Sequence, residues 1–167
     1  MPRKEITSEV ALSRLESLCS RSEQCEFDLE RKLYNWGIPA GVRKEIIEKL
    51  RENRYVDNSR FAKSYSNDKA RFSHWGPQKI RIELIKRKIP AILISEALRQ
   101  VDSDVWREGL LKNASSKAKS LKLIGEDSRS EREKLYRYLI SRGFPSSSAS
   151  KAVSLMVKRQ ESQNQEK

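Results

Sequence analysis

Apolar residues recur along this chain at helical spacing, and the pattern returns three times around three dipeptides, Ile38-Pro39, Ile89-Pro90 and Phe144-Pro145. Upstream of them, Leu29/Leu33, Ile80/Leu84 and Leu135/Leu139 stand at i and i+4, so each pair shares one helix face. Downstream, the positions four, eight, nine and twelve after the apolar residue read Val42, Ile46, Ile47, Leu50, then Leu93, Ala97, Leu98, Val101, then Ser148, Ala152, Val153, Met156. Each set predicts a helix opened by its proline, whose fixed φ and missing amide suit a first turn. Gly37 and Gly143 precede two of the dipeptides, where a helix ending in left-handed backbone favours glycine. Lys88 holds the equivalent place in the middle one.

A further helix precedes each pair, from Glu9 to about Cys19, from Asn58 to about Phe72 and from Ser103 to about Leu121. The chain is therefore expected to be all-α, with about nine helices in three tandem three-helix repeats that stack into an elongated, curved array. The repeats fall at residues 9–54, 55–102 and 103–157. Gly76-Pro77 predicts another proline-opened helix, Ile124 to Ser128 a connecting loop, and Ser130-Glu131-Arg132-Glu133 a capping box. Beyond Val157 the wholly polar run 158–167 predicts a frayed or disordered tail.

Composition adds a partner class. Of the 167 residues 37% are hydrophobic and 35% charged, lean for one compact core but suited to a repeat array. Lys and Arg outnumber Asp and Glu by 35 to 23, a formal charge of +12, and such a surface attracts polyanions. Cys19 and Cys25 are the only cysteines and imply neither a disulfide framework nor a metal site. No apolar leader or run of roughly 18 apolar residues is present, so a cytoplasmic protein is expected.

Convergent catalytic groups are missing. His74 is the only histidine and reads most simply as a loop residue beside Trp75. Neither G-x-x-x-x-G-K-[ST] nor G-x-G-x-x-G occurs, and Glu45/Glu48 and Glu131/Glu133 lie among cations on polar faces. No enzyme, cofactor or metal is expected. The positive feature is the middle repeat. Arg60, Ser64, Asn67 and Arg71 share one helical stripe, with Lys63 at its margin, opposite Phe61 and Tyr65. On the next helix Lys79 and Lys86 share a stripe with Arg87 nearby, while Arg81 and Lys88 make a second. Such cations suit phosphate contact without base reading; pairing at i, i+4, as between Glu83 and Arg87, is the alternative for any single one. Phe27, Trp36, Phe61, Tyr65, Trp106, Tyr136 and Phe144 fit core positions, whereas Trp75, between two helices, is a candidate for stacking on a base.

The segment Tyr55-Val56-Asp57-Asn58-Ser59-Arg60-Phe61, followed by Gly76-Pro77-Gln78-Lys79-Ile80 and Glu83-Leu84, resembles the RecX family of recombination regulators. Asp28-Leu29-x-x-Lys32-Leu33-x-x-x-Gly37-Ile38 and, more weakly, Leu139-x-x-x-Gly143-Phe144 extend the likeness over about residues 10 to 157. Three positions depart from the pattern: Cys25 where a capping serine is frequent, Asn58 where a second aspartate is common, and Lys88 where glycine usually ends the helix. The resemblance implies a regulator that binds the RecA nucleoprotein filament and inhibits RecA ATPase, recombinase and co-protease activities in DNA repair and the SOS response; a repeat array needs no partner to finish its core, so a monomer is expected. Single- or double-stranded DNA would be touched through its phosphates, weakly and salt-sensitively. The alternative is a helical DNA-binding protein, sequence-indifferent or site-specific, acting independently of RecA.

Overall fold

A computed structural model describes residues 6–125 and 128–165, and all regular structure among them is helical. The nine helices among the described residues are α1 (Ser8–Arg21), α2 (Glu26–Asn35), α3 (Ala40–Glu52), α4 (Asn58–Arg71), α5 (Pro77–Lys86), α6 (Ala91–Gln100), α7 (Ser103–Ala118), α8 (Ser128–Ser141) and α9 (Ser146–Gln165). The all-α expectation and the helix count both hold.

The three dipeptides sit in three copies of one corner. After α2, Gly37 adopts φ +78 and its N–H donates to the Tyr34 carbonyl at 2.9 Å, while the Ile38 N–H donates to Leu33 at 3.1 Å. After α5, Lys88 takes φ +55, with Lys88 N–H to Ile85 at 2.9 Å and Ile89 N–H to Leu84 at 3.1 Å. After α8, Gly143 takes φ +93, with bonds to Ile140 at 2.9 Å and from Phe144 to Leu139 at 3.2 Å. This paired closure satisfies carbonyls that a helix end leaves open, and it buries Ile38, Ile89 and Phe144. Pro39, Pro90 and Pro145 lie one position earlier than a first turn. Each proline carbonyl accepts the first helical bond, from Arg43, Ile94 and Ala149 respectively. Pro77, by contrast, is the first helical residue, as its sequence context predicts.

A left-handed lysine costs about 1 kcal/mol relative to glycine. The Lys88 ammonium lies 5.4 Å from the centre of the Phe27 ring, a contact that offsets part of that cost.

Contacts divide the chain into two compact units. One holds the described residues through Ser64 together with Leu84–Ala97; the other holds Tyr65–Glu83 together with the described residues from Leu98 onward. In the first, α1, α2 and α3 bury Leu15, Leu29, Leu33, Ile46, Ile47 and Leu50 around one core, with Trp36 packed against it. Cys25 caps α2 without a side-chain hydrogen bond. The Asn58 Oδ1 accepts from the Glu26 N–H instead, at 3.2 Å. Two departures from the family pattern thus meet at one helix terminus, the asparagine supplying from α4 the cap that the cysteine lacks.

In the second unit, α7, α8 and α9 enclose Ala114, Leu123, Leu135, Leu139, Ala152 and Met156. Two local expectations are corrected there. α8 starts at Ser128, so Ser130 is already helical and does not head a capping box; of the loop predicted over 124–128, residues 126 and 127 lie outside the described residues. α9 continues to Gln165, through most of the run predicted to be frayed. Its anchor is Gln160, whose Oε1 accepts from Leu123 N–H at 2.9 Å and whose amide donates to the Leu121 and Ala118 carbonyls at 2.9 and 3.3 Å. A polar side chain that closes three backbone groups holds this helix as an apolar one would, and composition does not reveal it.

Candidate nucleic-acid interface

α4 begins where Asp57 accepts from the Arg60 N–H at 2.9 Å, a side-chain cap that satisfies a first-turn amide. Arg60 is the residue the cap orients. Its Nε donates to Glu23 Oε1 at 2.5 Å and its Nη2 to the Arg54 carbonyl at 3.2 Å. The Glu23 hydrogen bond raises the Arg60 pKa above its ordinary value. Arg87 is held in the same way: its Nε meets Asp28 Oδ2 at 3.1 Å, and both side chains are mostly covered. With Lys88 over Phe27, three of the five cations proposed in the first unit serve its own packing. Lys63 and Lys86 are exposed.

In the second unit Trp75 is half-buried, and its ring is clasped by two ammonium groups, Lys79 at 4.5 Å and Lys69 at 4.9 Å from its centre. Those contacts occupy the π-face that a base would need. Arg71 is exposed, with its Nε on the Asn67 Oδ1 at 2.8 Å, and Arg81 is half-buried. Among the described residues, Lys63, Arg71 and Arg81 enter no ion pair. Phe72, not singled out in the sequence, is 78% exposed and directly follows Arg71, the last residue of α4. Lys69 was also missed: its relation to Trp75 depends on the left-handed His74, φ +51, which reverses the chain between them.

The loop carrying Trp75 is fixed from behind by Asn113, buried on α7. Its amide donates to the His74 carbonyl at 2.8 Å and to Gly109 at 2.7 Å, while its Oδ1 accepts from Arg142 Nε at 3.0 Å and Tyr138 Oη at 3.2 Å. Arg142 Nη2 donates to the Ser73 carbonyl at 2.7 Å. Gly76 then approaches the α8 corner closely, donating its N–H to the Arg142 carbonyl at 2.7 Å, and the Gln78 N–H reaches Gly143 at 2.9 Å. A Cβ on Gly76 would stand 2.3 Å from the Gly143 backbone. His74 contributes its backbone here, in keeping with a loop residue.

No group of three or more His, Cys, Asp or Glu side chains among the described residues could hold a metal ion, and no described helix is long and apolar enough to cross a membrane. Each unit taken by itself carries exposed cations, Lys63 and Lys86 in the first and Arg71 in the second.

A family model described as RecX, second three-helix domain, matches residues 57–98, the segment that carries most of these cations. Over 128 residues the chain is 33% identical to the regulatory protein RecX of Pseudomonas savastanoi pv. phaseolicola, covering 77% of this chain and 79% of that one. It belongs to the RecX family. The regulatory protein RecX of Clostridium tetani is 31% identical over 122 residues, 71% of this chain and 56% of its own length. That of Geobacillus kaustophilus is 30% identical over 120 residues, 72% and 44%; the chain thus spans about half the length of these two relatives. A crystal structure of regulatory protein RecX aligns with TM-score 0.75 at 28% identity, covering 91% of this chain and 71% of that one. RecX from Lactobacillus salivarius aligns with TM-score 0.73 at 20% identity, over 89% and 96%, a likeness of fold.

Proposed function

We propose that this chain is a monomeric, cytoplasmic regulator that binds the RecA nucleoprotein filament and inhibits its ATP hydrolysis, strand exchange and co-protease activity, with no chemistry of its own. The observation that carries the reading is a coincidence: the matched family segment, residues 57–98, is also where exposed cations sit on helices fastened by their own ion pairs. Lys63, Arg71, Arg81 and Lys86 are the phosphate contacts in this reading; Arg60, Arg87 and Lys88 hold the frame, and Lys79 and Lys69 steady Trp75. The three-helix repeats at 9–54, 55–102 and 103–157 supply a scaffold of the kind that lies along a polymer.

The test is a DNA-dependent RecA ATPase assay with substoichiometric amounts of the chain. Inhibition well below one molecule per RecA protomer is expected, and no inhibition at any ratio would overturn the proposal. A DNA-binding role independent of RecA draws support from the exposed Phe72 beside Arg71, an aromatic with a cation at hand. Gel shifts separate the two: a protein of that second kind retains strong binding to naked DNA, and a site-specific one prefers one duplex by orders of magnitude.

A further inference from the structure

The second unit carries a groove that the cationic surface does not use. It lies along α7 and α9 beside the Phe144-Pro145 corner, with a volume of about 530 Å³. Trp106, Leu110 and Phe144 line it, with Leu155 at its edge. Leu155 is 37% exposed. The two charged residues of the lining, Arg107 and Lys151, are both cations. Arg107 is answered by Asp104 at 2.6 Å. Lys151 is exposed and enters no ion pair among the described residues.

An apolar trough with an unanswered ammonium at its rim defines the chemistry of what would fill it. The occupant must bring large apolar side chains to displace water from the trough, and a carboxylate to meet Lys151. A nucleic-acid backbone has the anion but no apolar anchor, whereas an amphipathic helix presents both at i, i+3 and i+4 spacing. We infer that this groove docks an acidic, amphipathic segment of a protein partner, its apolar side chains entering between Trp106, Leu110 and Leu155 and its carboxylates meeting Lys151. The inference rests on the proposed function in one respect only, that the regulated partner is a protein. It gives the molecule two separate recognition chemistries, phosphate at the exposed cations and acidic protein at the groove.

The experiment uses the full chain, labelled with ¹⁵N, and two blocked synthetic helical peptides about 15 residues long with the same Leu/Phe face. One peptide carries Glu beside that face and the other Lys. The Glu peptide is expected to shift the Trp106 indole resonance and the amides around Leu155, saturably, and to bind at least about tenfold more tightly than the Lys peptide. Leu155→Glu and Lys151→Glu, both at exposed positions, are expected to weaken it by a similar factor while the thermal melt stays unchanged.

Absence of any shift at the groove, or equal binding of the two peptides, overturns the proposal. So does an oligothymidylate that shifts the same resonances, which would assign the groove to nucleic acid. Sedimentation showing a dimer that Leu155→Glu dissolves would overturn it too, a second copy then being the occupant. If the Glu peptide binds as expected but the chain ignores RecA filaments, the groove stands and the RecA reading falls.

Discussion

Single residues here carry two kinds of constraint, and the glycines separate them. Gly37 has φ +78 but open space where a Cβ would be, so Gly37→Ala meets only backbone strain, about 1 kcal/mol. Gly76 has an ordinary φ, yet its Cβ would fall 2.3 Å from backbone atoms of Gly143, so Gly76→Ala must force two chain segments apart at about 3 kcal/mol. Urea melts of the two variants are expected to differ in that order, and equal midpoints would contradict the close approach. Cys25 is constrained electrically. Burial pushes its thiol from 9.0 up to about 11, so at pH 8 it resists alkylation that a free thiol accepts. In the unfolded chain the thiol ionises near its ordinary value and in the folded chain it does not. Its contribution to stability is therefore intact below pH 9 and is lost as pH rises from 9 towards 11, on the order of 2 kcal/mol. Comparing the pH dependence of denaturation of wild type with that of Cys25→Ala checks the direction.

At the scale of helices, most of what is visible in the sequence is visible because it repeats. The Ile/Phe-Pro dipeptides and the i, i+4 pairs locate three corners, and even Lys88, against its propensity, takes the left-handed place that its position implies. Caps made between distant segments are invisible to such a reading. Nothing local tells that Asn58 closes α2, thirty-two residues upstream, by accepting from the Glu26 N–H. Asn58→Ala is expected to destabilise the chain by about 1 kcal/mol, whereas Cys25→Ser in that background restores part of the loss by providing a local cap; thermal melts of the single and double variants measure both. Gln160 in α9 is a second case, a polar residue in a polar run whose three backbone bonds extend the helix past Val157. The same blindness affects the candidate interface. Arg60, Arg87 and Trp75 belong to an obvious basic and aromatic pattern, but their partners Glu23, Asp28 and Lys69 are set by tertiary packing. Pattern alone cannot tell a cation that binds a ligand from one that binds its own fold.

At the scale of the whole molecule, that distinction sharpens the electrostatic expectation. The net charge of +12 is a general attraction to polyanions, and each exposed cation that neutralises a phosphate releases counterions on binding. Replacing Lys63, Arg71, Arg81 and Lys86 together by Ala is expected to weaken binding to RecA filaments at least about tenfold and to flatten its salt dependence, helicity being retained. Arg60→Ala should instead lower the melting temperature, because Glu23 loses its partner. Filament binding unaffected by the fourfold variant would remove those cations from the interface while leaving family membership untouched. The crossing of Gly76 with Gly143 has a kinetic consequence as well. Each corner closes through bonds within a few residues, whereas this crossing joins segments far apart in the chain and is expected to form late in folding. On that expectation, Gly76→Ala should speed unfolding in stopped-flow experiments and leave the refolding rate nearly unchanged.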